Sequence, residues 1–193
     1  FFDSVRVPLA NVVGAINDGW TVAKYLLEFE RGGSAYAPAL QADIDALHTY
    51  AARTRGDAGL LIDDALFMAR LAETEIEIDA LDALESEIMS ALSNDRSVGT
   101  DASMMKILGT ELQQRVTELG IDAAGPYARA YQPGIAMPGG AIVGYPIPLE
   151  AYCSGEAWQA IAPLRYLNER AGTIYAGANE IQRGILAKAE LGL

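Results

Sequence analysis

Asp101-Ala-Ser-Met-Met-Lys-Ile-Leu-Gly-Thr-Glu-Leu-Gln-Gln-Arg-Val-Thr-Glu-Leu-Gly-Ile-Asp-Ala-Ala124 sets the fold class. Its apolar residues Met105, Leu108, Leu112, Val116, Leu119 and Ala123 recur every three or four positions, the period of one helix face and not of a strand. Asp101 can cap this helix at its start, and Gly125-Pro126 stops it. The stripe is expected to be core.

The same period runs outward in both directions. From Trp20 to about Arg53 the positions Trp20, Ala23, Leu27, Ala35, Leu40, Ile44 and Leu47 keep helical spacing, with Asp18 as a cap. The Gly32-Gly33 pair inside that stretch costs about 1 kcal/mol per glycine and suggests close approach of something to the helix. A second helix is expected from about Ile62 to Leu92, its turns marked by Leu66, Ala69, Glu73, Ile76, Ala80, Ala83 and Met89. Its acidic residues Asp63, Asp64, Glu73, Glu75, Glu77, Asp79, Asp82, Glu85 and Glu87 read as a solvated face. Past residue 125, the five prolines and four glycines of 126–150 alternate with Tyr127, Tyr131, Tyr145, Ile135, Ile142 and Val143, a loop able to pack rather than a linker. A fourth helix covers about Ser154 to Glu169. A terminal one starts near Asn179 and gathers Ile181, Ile185, Leu186 and Ala189 on one side. At the N-terminus Val5 and Val7 alternate with polar neighbours until Pro8, which reads as a short strand. The sum is an all-α, up-and-down four-helix bundle with a short N-terminal strand remnant.

Composition narrows the chemistry. The 193 residues suffice for one or at most two domains, and the opening Phe1-Phe2-Asp3 without Met is expected of a piece of a longer protein or a trimmed one. A net charge of −12 and a pI near 4.4 disfavour nucleic acid, since phosphate binding needs a basic surface. No apolar run approaches the ~20 residues of a membrane span. The single cysteine, Cys153, has no disulfide partner within the chain and fits a reducing compartment, so a cytoplasmic location is expected. With one histidine, His48, and one cysteine, neither a metal site nor a Ser-His-Asp or Cys-His system is expected. Chemistry must rest on carboxylates, backbone or a bound cofactor.

Four separated segments carry a resemblance. They are Phe2-Asp-Ser-Val-Arg-Val-Pro8 with Val13-Gly14; Gly19-Trp20 with Leu26-Leu-Glu-Phe-Glu-Arg31; Ser103-Met-Met-Lys106 with Glu111-Leu-Gln-Gln-Arg115; and Thr173-Ile-Tyr through Glu180-Ile-Gln-Arg183 with Leu191-Gly-Leu193. In order and spacing they resemble the C-terminal half of acyl-CoA dehydrogenases. Trp20-Thr-Val-Ala-Lys-Tyr-Leu-Leu27 looks most like the bacterial branch that includes pimeloyl-CoA dehydrogenase large subunits. The resemblance implies that residues 1–16 end a central β-domain and its linker and that 17–193 form the helical C-terminal domain. It also implies α,β-dehydrogenation of an acyl-CoA thioester. FAD would accept the hydride, electron-transfer flavoprotein would accept the electrons, and the assembly would be a homodimer, a homotetramer or a hetero-oligomer. A carboxylate base must then be desolvated enough to take an α-proton.

This chain departs from the family pattern at the base. The usual Tyr-Glu-Gly slot reads Tyr175-Ala176-Gly177, and alanine accepts no proton. Some members place the base on the first bundle helix before an Arg, which here is Glu30 before Arg31. Glu30 is therefore the candidate catalytic base, Arg31 and Tyr175 the candidate substrate contacts, and Gly177, Asn179 and Glu180 the candidate cofactor neighbours. Tyr25, Phe29, Gly32, Gly33 and Tyr36 are placed by the resemblance to shape the acyl pocket. Two other readings stand beside Glu30: it pairs with Arg31 or Lys24 on a wet helix face, or the chain is a non-catalytic subunit of a heteromer. The family's Arg-x-x-Phe and Gln-x-x-Gly-Gly flavin contacts are replaced by Arg53-Thr-Arg-Gly-Asp57 and Asp122-Ala-Ala-Gly-Pro126.

Overall fold

The computed structural model describes residues 1–32, 35–56, 59–94, 96, 98–130, 132 and 154–192, and of residues 27–32 the backbone alone. Gly33, Tyr131, Ile135, Ile142, Val143, Tyr145 and Cys153 lie outside the described residues. Among the described residues six helices follow in order: α1 (Gly19–Gly32), α2 (Ala37–Ala51), α3 (Ala65–Ser93), α4 (Asp101–Ala124), α5 (Ala157–Glu169) and α6 (Asn179–Leu191). None of them is long and apolar enough to cross a membrane.

α4 is the hub and touches each of the other five helices. That position explains why it is buried nearly all round, with Met105, Leu112, Val116, Leu119 and Ala123 inside as expected. Leu108 of the same stripe is instead exposed, because the neighbours that flank α4 leave that angle open. Thr100, not Asp101, takes the N-cap position, and Gly125 ends the helix at φ +56, a left-handed conformation that glycine adopts without a Cβ penalty. Leu40, Ile44 and Leu47 of α2 and Leu71, Ile78, Leu81 and Ile88 of α3 complete the core. Each large side chain so withdrawn from water contributes about 1.5–3 kcal/mol.

α3 corrects the sequence expectation about which face is inside. Its buried residues are Phe67, Leu71, Thr74, Ile78, Leu81, Glu85 and Ile88, an alternating four-three spacing like a coiled-coil seam. Leu66 and Ile76, which mark the turns of the sequence pattern, are 73% and 68% exposed. Starting one residue early rotates the expected face by about 100°, and the two polar seam residues, Thr74 and Glu85, break the apolar pattern that would have exposed the error. The rest of the acidic face is turned outward. Asp64 serves the helix in another way, as its cap, with Oδ1 accepting from the Leu66 and Phe67 amides at 2.9 and 3.0 Å.

Three further expectations change. The stretch from Trp20 to Arg53 is two helices, because Pro38 sits in the first turn of α2, where its missing N–H is harmless, and could not lie inside a continuous helix. Phe1–Val7 contains no strand; Val5 and Val7 are exposed and no described segment offers a ladder to pair with. α5 opens at Ala157, three residues later than Ser154, behind a capping box of Glu156 and Gln159.

Candidate functional site

Between α5 and α6 the chain makes a turn that carries Tyr175, Ala176 and Gly177. It is closed by backbone bonds from Tyr175 N–H to Ala171 C=O at 3.0 Å and from Asn179 N–H to Thr173 C=O at 2.9 Å. Ala176 lies at φ +54 and Gly177 at φ +86. For alanine that conformation costs about 1–2 kcal/mol, so the surroundings must hold it.

What holds it is the inward face of α6, and that face is polar. Asn179 and Gln182 are 1% and 0% exposed, whereas Ile181, expected on the packed side, is 60% exposed. Gln182 Nε2 donates to the carbonyls of Ala176 at 3.5 Å and Gly177 at 3.3 Å, while its Oε1 accepts from Ser103 Oγ at 2.9 Å. Asn179 Oδ1 accepts from Lys106 Nζ at 2.6 Å, and its Nδ2 donates to Thr110 Oγ1 and Glu111 Oε1, both at 3.2 Å. Arg183 pairs with Glu111, and Gln114 Nε2 donates to Thr173 Oγ1 at 3.3 Å. Buried polar groups are tolerated only when paired, and these are. Lys106 is 2% exposed; burial pushes its ammonium down, and the nearby Glu180 and Glu111 carboxylates push it partly back.

The sequence-expected residues fall into two groups. Tyr175, Gly177, Asn179 and Glu180 are contiguous on the turn and the first turn of α6. Tyr175 is 54% exposed and Glu180 is exposed, but the side chain and amide of Asn179 are committed inward. Glu30 and Arg31 lie in the last turn of α1, which rests on α4, and their side chains are outside the described residues. Lys106, Thr110, Glu111 and Gln182 were not foreseen as site residues. Part of their signal was present as a polar stripe, Ser103, Lys106 and Thr110, at spacings of three and four in the more apolar first half of α4.

On another side of the bundle Arg53 donates to Glu156 Oε2 at 2.8 Å and lies over the Tyr50 ring, 5.3 Å from its centroid; Tyr50 in turn stacks on Trp158 at 4.0 Å. Asp122 accepts from Arg70 at 2.6 Å. Beside the stack a cavity of about 210 Å³ opens between α2, α4 and α5, lined by Leu47, Val116 and Ile161 and bordered by the Arg165–Asp43 pair. It shares no residue with the turn.

Residues 17–191 match the family model described as acyl-CoA dehydrogenase, C-terminal domain. The acyl-CoA dehydrogenase IpdE1 of Mycobacterium tuberculosis is 32% identical over the whole chain, which spans 43% of that relative. The solved ChsE4-ChsE5 complex from Mycobacterium tuberculosis matches with a TM-score of 0.74 and 25% identity over all of this chain and 45% of that one. The glutaryl-coenzyme A dehydrogenase glutaryl-CoA complex matches with a TM-score of 0.76 at 20% identity, over all of this chain and 42% of that one, a likeness of fold. The chain thus spans less than half the length of these relatives, and it belongs to the acyl-CoA dehydrogenase family, as a C-terminal helical domain.

Proposed function

We propose that the protein removes a proton and a hydride from the α- and β-carbons of an acyl-CoA thioester, with Glu30 as the base. The observation that carries this is the turn itself. Ala176 stands in the slot where the family pattern has its carboxylate, and Gln182 fastens the carbonyls of Ala176 and Gly177. The turn therefore offers backbone and the exposed Tyr175 ring but no proton acceptor at position 176. The acceptor is then sought on α1, where Glu30 precedes Arg31.

The residues present fit the ring end of a flavin: Gly177, without a Cβ and at φ +86, allows close backbone approach, and Glu180 stands at the first turn of α6. Toward a pyrophosphate, Arg53 would first have to leave Glu156. Bound FAD supplies the hydride acceptor. Glu30 takes the α-proton, Arg31 and Tyr175 orient the thioester, and the packed turn holds the Tyr175 backbone in place. Asn179 acts from behind, as the link between the turn and Lys106. Electron-transfer flavoprotein as electron acceptor and a homodimeric or homotetrameric assembly complete this reading.

A second reading, a non-catalytic subunit of a heteromer, is favoured by Ala176 and by the likeness to the ChsE4-ChsE5 complex. Glu30→Gln in the full-length protein separates the two. Loss of acyl-CoA-dependent flavin bleaching by about 10²–10⁴-fold is expected for a base. Undiminished bleaching, or a second chain that copurifies and carries the activity, overturns Glu30.

A further inference from the structure

Two clasps join α2 to α5 across α4. At one, Arg165 Nη1 and Nη2 donate to Asp43 Oδ1 and Oδ2 at 2.9 and 2.5 Å. At the other, the Trp158 ring lies flat on Tyr50, with centroids 4.0 Å apart and planes 3° from parallel. Asp43 and Tyr50 are seven positions apart, and so are Trp158 and Arg165. The helices therefore run antiparallel, and at 1.5 Å per residue the clasps stand about 10 Å apart. The same register sets Ala46 opposite Ala162 and Leu47 opposite Ile161, and all four border the cavity of about 210 Å³ between the clasps. Its floor is α4 at Val116, Thr117 and Gly120, and a Cβ added to Gly120 would meet no atom within 4 Å. Small residues thus stand on all three helices where the bundle could have closed, although voids larger than a water molecule are few in a packed interior.

We propose that this slot is a binding site for a small uncharged ring compound bearing one hydroxyl or carbonyl. Size sets the first limit. A dry cavity of about 150 Å³ takes up benzene, so this one holds one ring and roughly three or four further heavy atoms. The walls set the second. Leu47, Val116, Ile161 and the two alanines offer apolar contact, while the Trp158 indole N–H donates to Glu156 Oε2 at 3.2 Å and the Thr117 hydroxyl to the Gln114 carbonyl at 2.7 Å. The polar end is then the Arg165 clasp. Arginine has five N–H donors, and among the described residues Asp43 engages two of them, so an oxygen on the ring can be met without breaking the pair. Charge sets the third limit: a carboxylate on the ligand would face Asp43, and an ammonium would face Arg165. The site does not depend on the acyl-CoA reading, since it shares no residue with α1 or with the Tyr175 turn.

The test uses the full-length protein and fluorine NMR titration with 4-fluorophenol, 4-fluorotoluene and 4-fluorobenzoate. 4-Fluorophenol is expected to bind saturably, with a Kd of about 1 mM or tighter. It should bind roughly tenfold tighter than 4-fluorotoluene, because a hydrogen bond to a charged group separates the two. 4-Fluorobenzoate should bind no better than the toluene. Replacing both members of the clasp, Asp43→Leu with Arg165→Met, is expected to make phenol and toluene equal. Gly120→Leu fills the floor and should weaken phenol binding roughly tenfold or more. Gly120→Ala adds one methyl in open space, should weaken it severalfold, and decides where Gly120→Leu does not fold. No saturable binding, or equal affinity of the parent for phenol and toluene, overturns the proposal. So does phenol binding that acyl-CoA displaces or that neither Gly120 variant disturbs. A parent that binds no phenol, with an oligomeric mass that changes in Gly120→Leu, makes the slot an interface between copies and also overturns it. A protein that binds 4-fluorophenol at Gly120 but no acyl-CoA overturns the preceding reading only.

Discussion

Removing the Glu85 carboxylate should loosen one junction of the bundle and leave the helices themselves standing. Glu85 is 4% exposed on α3 and receives the amides of Tyr36 and Ala37 at the N-terminal end of α2. Hydrogen bonds to a charged group contribute about 1.5–3 kcal/mol each, so two amides give about 3–6 kcal/mol. Part of this is offset because a variant no longer keeps a carboxylate out of water, which costs several kcal/mol. For Glu85→Ala the amides of α2 lose their acceptor and a small void opens, and a net loss of about 2–4 kcal/mol is expected. For a unit of this size that is a fall in Tm of about 4–16 °C. Glu85→Gln keeps one oxygen as acceptor and is expected to lose about 1 kcal/mol. The assay is thermal unfolding of the full-length protein together with hydrogen exchange at the Tyr36 and Ala37 amides. Protection there should drop by about tenfold for each 1.4 kcal/mol lost. Glu85→Leu decides the sign: if it is as stable as the parent, with the two amides still protected, the carboxylate is not an anchor and the reasoning fails.

Other expectations concern the turn, the Tyr36 phenol, the Lys106 ammonium and one surface ion pair. In a Glu30→Gln background, Ala176→Glu should restore part of the flavin bleaching with little added backbone strain, since Ala176 already bears a Cβ at positive φ; no recovery would mean that position 176 does not face the acyl chain. Tyr36 is raised above its ordinary 10.0, so its neutral phenol favours the folded state fully below pH 10 and less as pH climbs through the raised value. Urea midpoints measured from pH 9 to 11 should fall less steeply in Tyr36→Phe. Lys106 is lowered from 10.5, so its buried charge costs stability below its folded value, and that cost fades as pH rises toward 10.5. Lys106→Met should abolish this rise, and a parent-like pH profile would refute it. Arg70→Ala, which breaks a half-exposed pair with Asp122, should change stability by about 0–1 kcal/mol in an unfolding titration.

The helical class was legible because α4 and α2 repeat apolar residues over long stretches, and periodicity does not depend on knowing what lies opposite. Which way α3 turns was not legible. Its seam contains Thr74 and Glu85, and a buried glutamate looks like a solvated one until the amides of Tyr36 and Ala37 are placed against it. α2 and α3 meet at residues 49 apart in sequence, so no local pattern reports the contact. The same holds for α6, where Ile181 suggested an apolar inner face and the structure buries Asn179 and Gln182 instead.

The polar inner face of α6 bears on the candidate site more than its apolar residues do. An apolar contact tolerates sliding, because dispersion and burial are nearly indifferent to register. Directional bonds do not: Gln182 must reach Ser103 and the carbonyls of residues 176 and 177 at once, and Asn179 must meet Lys106, Thr110 and Glu111. A shift of α6 by one residue would strand several buried polar groups at about 1–3 kcal/mol each. The network therefore fixes the turn in one register on α4, and α4 is also the helix on which α1 rests with Glu30 near its end. Lys106 joins Asn179 on that helix, and Gly109, one turn on, seats Tyr36. Precision at the turn and placement of the proposed base thus share a single support. Substitutions along the Ser103–Lys106–Thr110 stripe should then change kcat more than KM in the assembled enzyme, since they disturb geometry without removing a group that holds substrate. Gln182→Ala should show the same split, and a loss confined to KM would place these residues in binding instead.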